Sequence, residues 1–244
     1  MPEGTVLDVD VVLQMGIRQV PVRFALTAAW TSLFGPSGSG KTTVLRAVAG
    51  FTRPQSGRIS VAGQMVFDHT NGVSLPAHRR GVRTAAQQAW LFAGTVRGNL
   101  VYGAGDGGSA VVEEVLRVMR LEALEDTDVR RLSGGERQRL SVGRAVVAAA
   151  AGGRHLLLLD EPFGGMDAEL RDRLAVELRD WLLMRGVPVL SVTHDVGEAF
   201  LLGAEVVRMG DTGVEAQGPA GVVLAGERER LLGVLRAQAG LQEL

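Results

Sequence analysis

The sequence predicts an α/β fold: a parallel-sheet core, a β-rich region before it and a block of helices set into it. Three observations predict this. A strand-like run, Trp30–Phe34, meets a glycine-rich loop and then a helical pattern over Thr43–Gly50. A run of four leucines, residues 156–159, reads as a strand buried on both faces, as in a parallel sheet. Between these two halves, Val111, Val112, Val115, Leu116 and Met119 recur at helical spacing.

Taken in order, Val11, Val20 to Ala28, Arg58–Val61 and Gln64–Phe67 read as short strands, the last two joined by Ala62-Gly63 in a hairpin. Val44, Leu45 and Val48 mark the helix after the glycine loop, which ends at Gly50. Ala104–Ser109 is a Gly-rich loop inside the helical block. Ser133-Gly134-Gly135 opens a further helix, whose apolar face is Val142, Ala145, Val146 and Ala149. Pro162 ends the leucine strand, and Val187–Val192 is a third apolar strand. The tail is expected to form an amphipathic helix, with Leu231, Leu232, Leu235 and Ala239 on one stripe and Arg228, Glu229, Arg230 and Arg236 on a solvated face.

Composition narrows the function classes. A chain of 244 residues suits one large α/β domain or a core with an inserted lobe. At this size it buries roughly 70–75% of its unfolded surface and needs no staples. With no Cys it has neither disulfides nor a thiolate metal site. A net charge of −1 lacks the basic excess of a generic nucleic-acid binder. Ala145–Ala151 is the longest apolar run considered, far short of the ~18 residues of a membrane span. Glu3, Asp8 and Asp10 do not suit a signal peptide, so a soluble cytosolic protein is expected.

The basic residues carry the sharpest signal. Every one is Arg except Lys41. A position that keeps a slim ammonium against that drift is one a planar guanidinium does not fit. Lys41 lies in Gly35-Pro36-Ser37-Gly38-Ser39-Gly40-Lys41-Thr42, followed by Thr43, which fits the P-loop pattern G-x-x-x-x-G-K-[ST]. Strand, loop and helix aim backbone N–H groups and a helix dipole at one point, a cradle for phosphates. Lys41 is expected on the β- and γ-phosphates and the Thr42 hydroxyl on Mg²⁺. Asp160, closing the leucine strand, is the second expected Mg²⁺ group. Glu161 beside it is the expected general base for an attacking water. Ser133-Gly134-Gly135 is a second bare helix N-terminus suited to an anion. One domain has no use for two cradles on one nucleotide unless a second copy provides one of them.

With P-loop, Leu132–Leu140 (LSGGERQRL) and LLLLDEP in this order, the sequence resembles the ATP-binding subunit of ABC transporters over roughly Val6 to Gly226. The resemblance implies a P-loop NTPase (RecA-like) core with an N-terminal antiparallel β region and an inserted α-helical subdomain. Residues 1–226 would be the ATPase domain, with its core at 1–93 and 152–226 and its helical subdomain at 94–151; 227–244 would be a C-terminal helix. It makes Gln87 the Q-loop glutamine that touches Mg²⁺ and water. Gln88 is the alternative, and the five-residue step to Phe92 favours Gln87. Asp167 matches the D-loop aspartate, although Met166 departs from the family's usual pattern. His194, after the third strand, matches the histidine that contacts the γ-phosphate; His69, His78 and His155 are taken as structural. The family stacks adenine on an aromatic before the P-loop, but Val11–Ile17 holds none; the expectation is that Met15 or another apolar side chain covers the base instead, or that the site binds it loosely.

The resemblance further implies a homodimer. ATP is sandwiched between the P-loop of one copy and Ser133-Gly134-Gly135 of the other. Two membrane permease subunits and, indirectly, a substrate-binding protein are the partners, at the cytoplasmic side of the cell membrane, with no nucleic acid. Glu136 and Thr193–Ala199 resemble bacterial importers. Phe67–His69, Leu75-Pro76, Arg79-Arg80 and Thr95–Gly103 resemble the molybdate or tungstate importer ATPases, with sulfate, polyamine and iron importers as the near alternatives. Only 227–244 follow the core, so that family's C-terminal oxyanion-sensing barrel is not expected. A soluble ABC ATPase on nucleic acid or ribosomes would show two cassettes or a coiled-coil insertion, and neither is present. A non-hydrolysing module is disfavoured by intact Lys41, Asp160, Glu161 and His194.

Overall fold

The computed structural model describes residues 5–104, 108–152 and 155–238. It opens with two antiparallel strands, β1 (Leu7–Met15) and β2 (Arg18–Ala25), paired from Asp8↔Ala25 to Met15↔Arg18. Leu7, Val9, Val11 and Leu13 alternate inward along β1, a period of two that commits one face to the core. β3 (Trp30–Phe34) leads into α1 (Lys41–Ala49), which stops at Gly50 in the left-handed conformation. β4 (Ser56–Val61), β5 (Gln64–Asp68) and β6 (Val73–Ser74) complete a five-stranded sheet of order β2-β1-β4-β5-β6. The β4–β5 hairpin turns at Ala62 and Gly63, both with positive φ, as a tight two-residue loop requires.

β7 (Val82–Ala85) precedes the helical block of α2 (Val96–Ala104), α3 (Ser109–Val118) and α4 (Gly134–Ala151). Then come β8 (Leu156–Asp160), α5 (Ala168–Met184), β9 (Val189–Thr193), α6 (Val196–Leu201), β10 (Glu205–Gly210), β11 (Gly213–Pro219), α7 (Ala220–Val223) and α8 (Ala225–Gln238). The second sheet runs β11-β10-β3-β9-β8-β7, with β10, β3, β9, β8 and β7 parallel and β11 antiparallel at one edge. Its strands end together at Phe34, Thr193 and Asp160, opening the crevice where ligands of parallel sheets bind.

The four leucines of β8 explain themselves in this sheet. Leu157 and Leu159 join an apolar cluster with α2, α3, α4 and α5 on one face. Leu156 and Leu158 join another with α1 and the antiparallel sheet on the opposite face. Two buried arginines add donors at helix ends that backbone N–H groups already cap in part. Arg80 donates to the Ala47 and Val48 carbonyls at the end of α1, and Arg139 to those of Met119 and Arg120 after α3. The tail departs from expectation. α8 is helical, but Leu231, Leu232 and Leu235 are exposed rather than docked. Its hold on the core is polar instead: Glu227 pairs with Arg208 at 2.8 Å, and Arg228 lies over the Phe200 ring. Ala239 and residues 105–107 of the Gly-rich loop lie outside the described residues. No described helix is long and apolar enough to cross a membrane.

Candidate nucleotide site

The loop between β3 and α1 is a cradle with nothing of its own inside. Gly40 precedes α1 in the left-handed conformation, and no side chain caps the helix. The first N–H groups of α1 are therefore free for an external acceptor. A Cβ at Gly40 would lie 2.2 Å from the Met15 side chain, and one at Gly35 the same distance from the Met209 carbonyl. The fixed backbone carbonyl excludes a side chain at Gly35, whereas at Gly40 the Met15 tip can move aside and it is the φ of +93° that favours glycine. Ser39 Oγ is buried here without a partner among the described residues.

Lys41 is buried, its Nζ donating to the Gly35 and Pro36 carbonyls at 2.8 Å each. Burial pulls the ammonium below the ordinary lysine range, while the charges of Glu161 and Asp160 push it back up. Thr42 Oγ1 donates to Asp160 Oδ1 at 3.2 Å, joining the start of α1 to the end of β8. Burial raises the Asp160 carboxyl; the Thr42 hydroxyl lowers it and neighbouring Glu161 raises it further. A cation beside Asp160 would relieve that cost.

Glu161 is where the arrangement converges. It has φ +48°, in the left-handed region, and its N–H donates to the Val192 carbonyl at 3.1 Å. That strained turn aims its carboxylate into the crevice. Gln87 Nε2 donates to Oε2 at 2.9 Å and His194 Nδ1 lies 3.1 Å from Oε1. Groups from β8, the segment after β7 and the segment after β9 thus meet at one carboxylate. Gln138 in α4 donates its side-chain amide to the Glu161 carbonyl at 3.4 Å. Sequence reasoning missed Gln138, although it sits inside the LSGGERQR run that had drawn attention for other reasons.

A cavity of about 530 Å³ lies over this machinery, lined by Ser37, Gly38, Gly40, Lys41, Thr42, Thr43, Gln87 and Glu161 and, at its far end, by Met15, Gly16 and Arg18. Ser133, Gly134, Gly135 and Asp167 do not line it. Ser133 caps α4 in a reciprocal box with Glu136, and Asp167 caps α5 by accepting from the Leu170 N–H at 2.9 Å. Gly135 faces the Gly165 carbonyl, so the two turns are neighbours at the surface.

Oxygen donors and a lone carboxylate at Thr42 and Asp160 suit a hard divalent cation completed by phosphate oxygens and water. No cluster of three or more His, Cys, Asp or Glu side chains that could cage a metal occurs among the described residues.

Residues 23–164 match a family model for the ABC transporter. The chain is 35% identical over 224 residues to the "Molybdenum import ATP-binding protein ModC" of Rhodospirillum rubrum, covering 90% of this chain and 60% of that protein. The protein of the same name from Salmonella typhimurium is 37% identical over 190 residues, covering 78% and 53%. The chain thus spans between half and two thirds of the length of these relatives. Among solved structures, cbiO1 from Clostridium perfringens, part of the cbiONQ complex, superposes with a TM-score of 0.78 at 21% identity, covering 98% of both chains. The ADP- and Pi-bound dimer of the ATP-binding cassette MJ0796 gives 0.71 at 22% identity, covering 88% of this chain and 98% of that one. These two likenesses establish the shared fold.

Proposed function

The chain belongs to the ABC transporter family, and on that premise we propose that it is the ATP-hydrolysing subunit of an importer for molybdate or a similar oxyanion. The observation that carries the hydrolytic reading is the convergence of Gln87 and His194 on the two carboxylate oxygens of Glu161, beside the Thr42–Asp160 pair. The likeness to the molybdenum import proteins supports the cargo.

The phosphate tail of ATP enters the loop over α1. There Lys41 leaves the Gly35 and Pro36 carbonyls for the β- and γ-oxygens. Thr42, Asp160 and Gln87 would hold Mg²⁺, which when bound neutralises charge on the phosphates. Glu161 accepts a proton from the attacking water; Gln87 and His194 fix the orientation of its carboxylate. Met15, packed on Gly40, covers the base end of the cavity. Ser133-Gly134-Gly135 and Asp167 face outward, and a second copy brings them over the γ-phosphate. ATP favours the closed pair and ADP does not, so each turnover opens and closes the dimer.

A groove of about 610 Å³ supports the permease assignment. It is lined by Phe51, Phe92 and Tyr102, all exposed, with Arg144 over the Phe92 ring. Phe92 lies on the same segment as Gln87, so a membrane helix seated there acts directly on the catalytic carboxylate's partner. On this reading the chain sits peripherally on the membrane.

Glu161→Gln tests the hydrolytic reading: the variant binds ATP, does not turn it over and elutes as a dimer with ATP in gel filtration. Turnover at the wild-type rate would remove Glu161 from the chemistry. For the cargo, ATP hydrolysis by the chain reconstituted with its permease is stimulated by molybdate-loaded binding protein. Equal stimulation by a sulfate- or polyamine-loaded one would reassign it.

A further inference from the structure

The turn after β9 carries His194, and a buried acid outside the reacting centre lies beneath it. α6 opens with Asp195 as its cap, the Asp195 carboxylate accepting from the Glu198 N–H at 3.1 Å. A Glu three residues after such a cap ordinarily reaches back to the cap's own N–H and closes a reciprocal box. This chain does that at Ser133 and Glu136. At Asp195 it does not. The Asp195 N–H donates instead to the Thr193 hydroxyl at 3.0 Å. The Glu198 side chain turns inward, 5% exposed, near enough to the Thr193 hydroxyl for that group to hold its carboxyl down. Its Oε1 is left without a partner among the described residues. A buried carboxyl with an unfilled acceptor is costly, and a helix cap alone does not require it.

The other side of the turn is clamped from a different element. Arg171, in the first turn of α5, donates to Asp195 Oδ2 at 2.7 Å and to Asp172 at 2.9 Å. α5 itself starts at the Asp167 cap. His194 therefore sits between Thr193, whose hydroxyl accepts from the Asp195 N–H beside the Glu198 carboxyl, and Asp195, which Arg171 holds and which accepts from the Glu198 N–H.

We propose that Glu198 is a positioning residue for hydrolysis: through the Thr193 hydroxyl and the Asp195 cap it keeps the His194 imidazole in register with the Glu161 carboxylate. Arg171 ties the same turn to the helix that Asp167 opens. This rests on the hydrolytic reading of Glu161 and His194. The charged groups facing Glu198 are Asp195 on its own helix, Arg171 from α5 and Glu161 at the end of β8. Burial, joined by Asp195 and Glu161, pushes its carboxyl up to about 7 against the pull of Thr193 and Arg171. Ionisation above that pH adds charge beside Asp195 and Glu161 and loosens the turn.

The test is steady-state ATP hydrolysis by the whole chain with kcat and KM resolved, and nucleotide binding measured separately with a fluorescent ATP analogue. Glu198→Ala lowers kcat about tenfold or more, with KM and binding within about twofold of wild type. Glu198→Gln keeps the shape and a hydrogen-bonding head. It is expected to recover most of the loss and to lack the fall in kcat expected of wild type as pH rises past about 7. A folded Glu198→Ala protein with wild-type kcat overturns the proposal, as does a Gln variant whose pH profile superimposes on wild type. Should the Ala variant not fold, Thr193→Val, which removes the hydroxyl that accepts from the Asp195 N–H, is read in the same assay, and a wild-type kcat there overturns the proposal. Failure of the hydrolytic reading looks different, because Glu161→Gln then turns over ATP like wild type whatever Glu198 does.

Discussion

Lys41 holds its place by shape as much as by charge. Its ammonium fits between the Gly35 and Pro36 carbonyls, 2.8 Å from each, as a compact point charge does. Lys41→Arg keeps the charge and is expected to lose ATP turnover by about a hundredfold or more in a phosphate-release assay; near-normal turnover would show that charge alone suffices. Glu198 gives a second expectation. Its carboxyl holds a proton up to about pH 7 in the folded chain, against 4.5 for the group's ordinary value. The folded state therefore binds more protons than the unfolded state in that window, and stability falls as pH rises through it. The full effect is on the order of 3 kcal/mol. Urea midpoints of wild type and Glu198→Gln should thus diverge from low to neutral pH, with the Gln variant gaining; parallel curves would count against the shift. That Lys41, Asp160 and Glu161 would share one crevice was legible from the glycine loop and the end of the leucine strand read together, since both open at the same edge of a parallel sheet. Glu198 was not, because Asp-x-x-Glu at a helix start reads as an ordinary capping pair and only the fold shows the side chain turned inward. Gln138 was hidden similarly, as an amide between two arginines.

Among the elements, α4 depends on its first turn. Ser133 and Glu136 satisfy each other's backbone N–H groups, and the carboxylate of Glu136 is held below its usual range mainly by the Ser133 N–H. Ser133→Ala removes one arm of that box and is expected to cost about 1 kcal/mol. Calorimetry would register this as a fall in Tm of about 2–4 °C; an unchanged Tm would mean that the cap contributes nothing. Elements whose burial follows from their own pattern were readable in advance. β3 falls on the run expected for it, and β8 adds only Asp160 to its four leucines. α8 was readable as a helix but not in its packing. The Leu231, Leu232 and Leu235 stripe implies a partner surface, whereas the chain anchors the helix through Glu227 and Arg208. Periodicity reports which side could be buried, and the partner that buries it is a property of the whole fold.

Across the whole molecule, no gap separates the helical block from the sheet. Val96, Leu100, Val115 and Val146 share one apolar cluster with Leu157, Leu159, Leu174 and Trp181. The chain is expected to unfold in a single calorimetric transition, with calorimetric and van't Hoff enthalpies equal; a separate early melt of the helices would contradict this. α4 runs through that cluster, 18 residues from the turn at Ser133 to Ala151, a rod of about 27 Å. Gln138 on it touches the Glu161 backbone, and Arg144 further along reaches the Trp90 carbonyl in the segment after Gln87. With Gln138 and Arg144 carried on one rod, a displacement applied to α4 at Ser133 is expected to reach both the Glu161 backbone and the stretch leading to the aromatic groove.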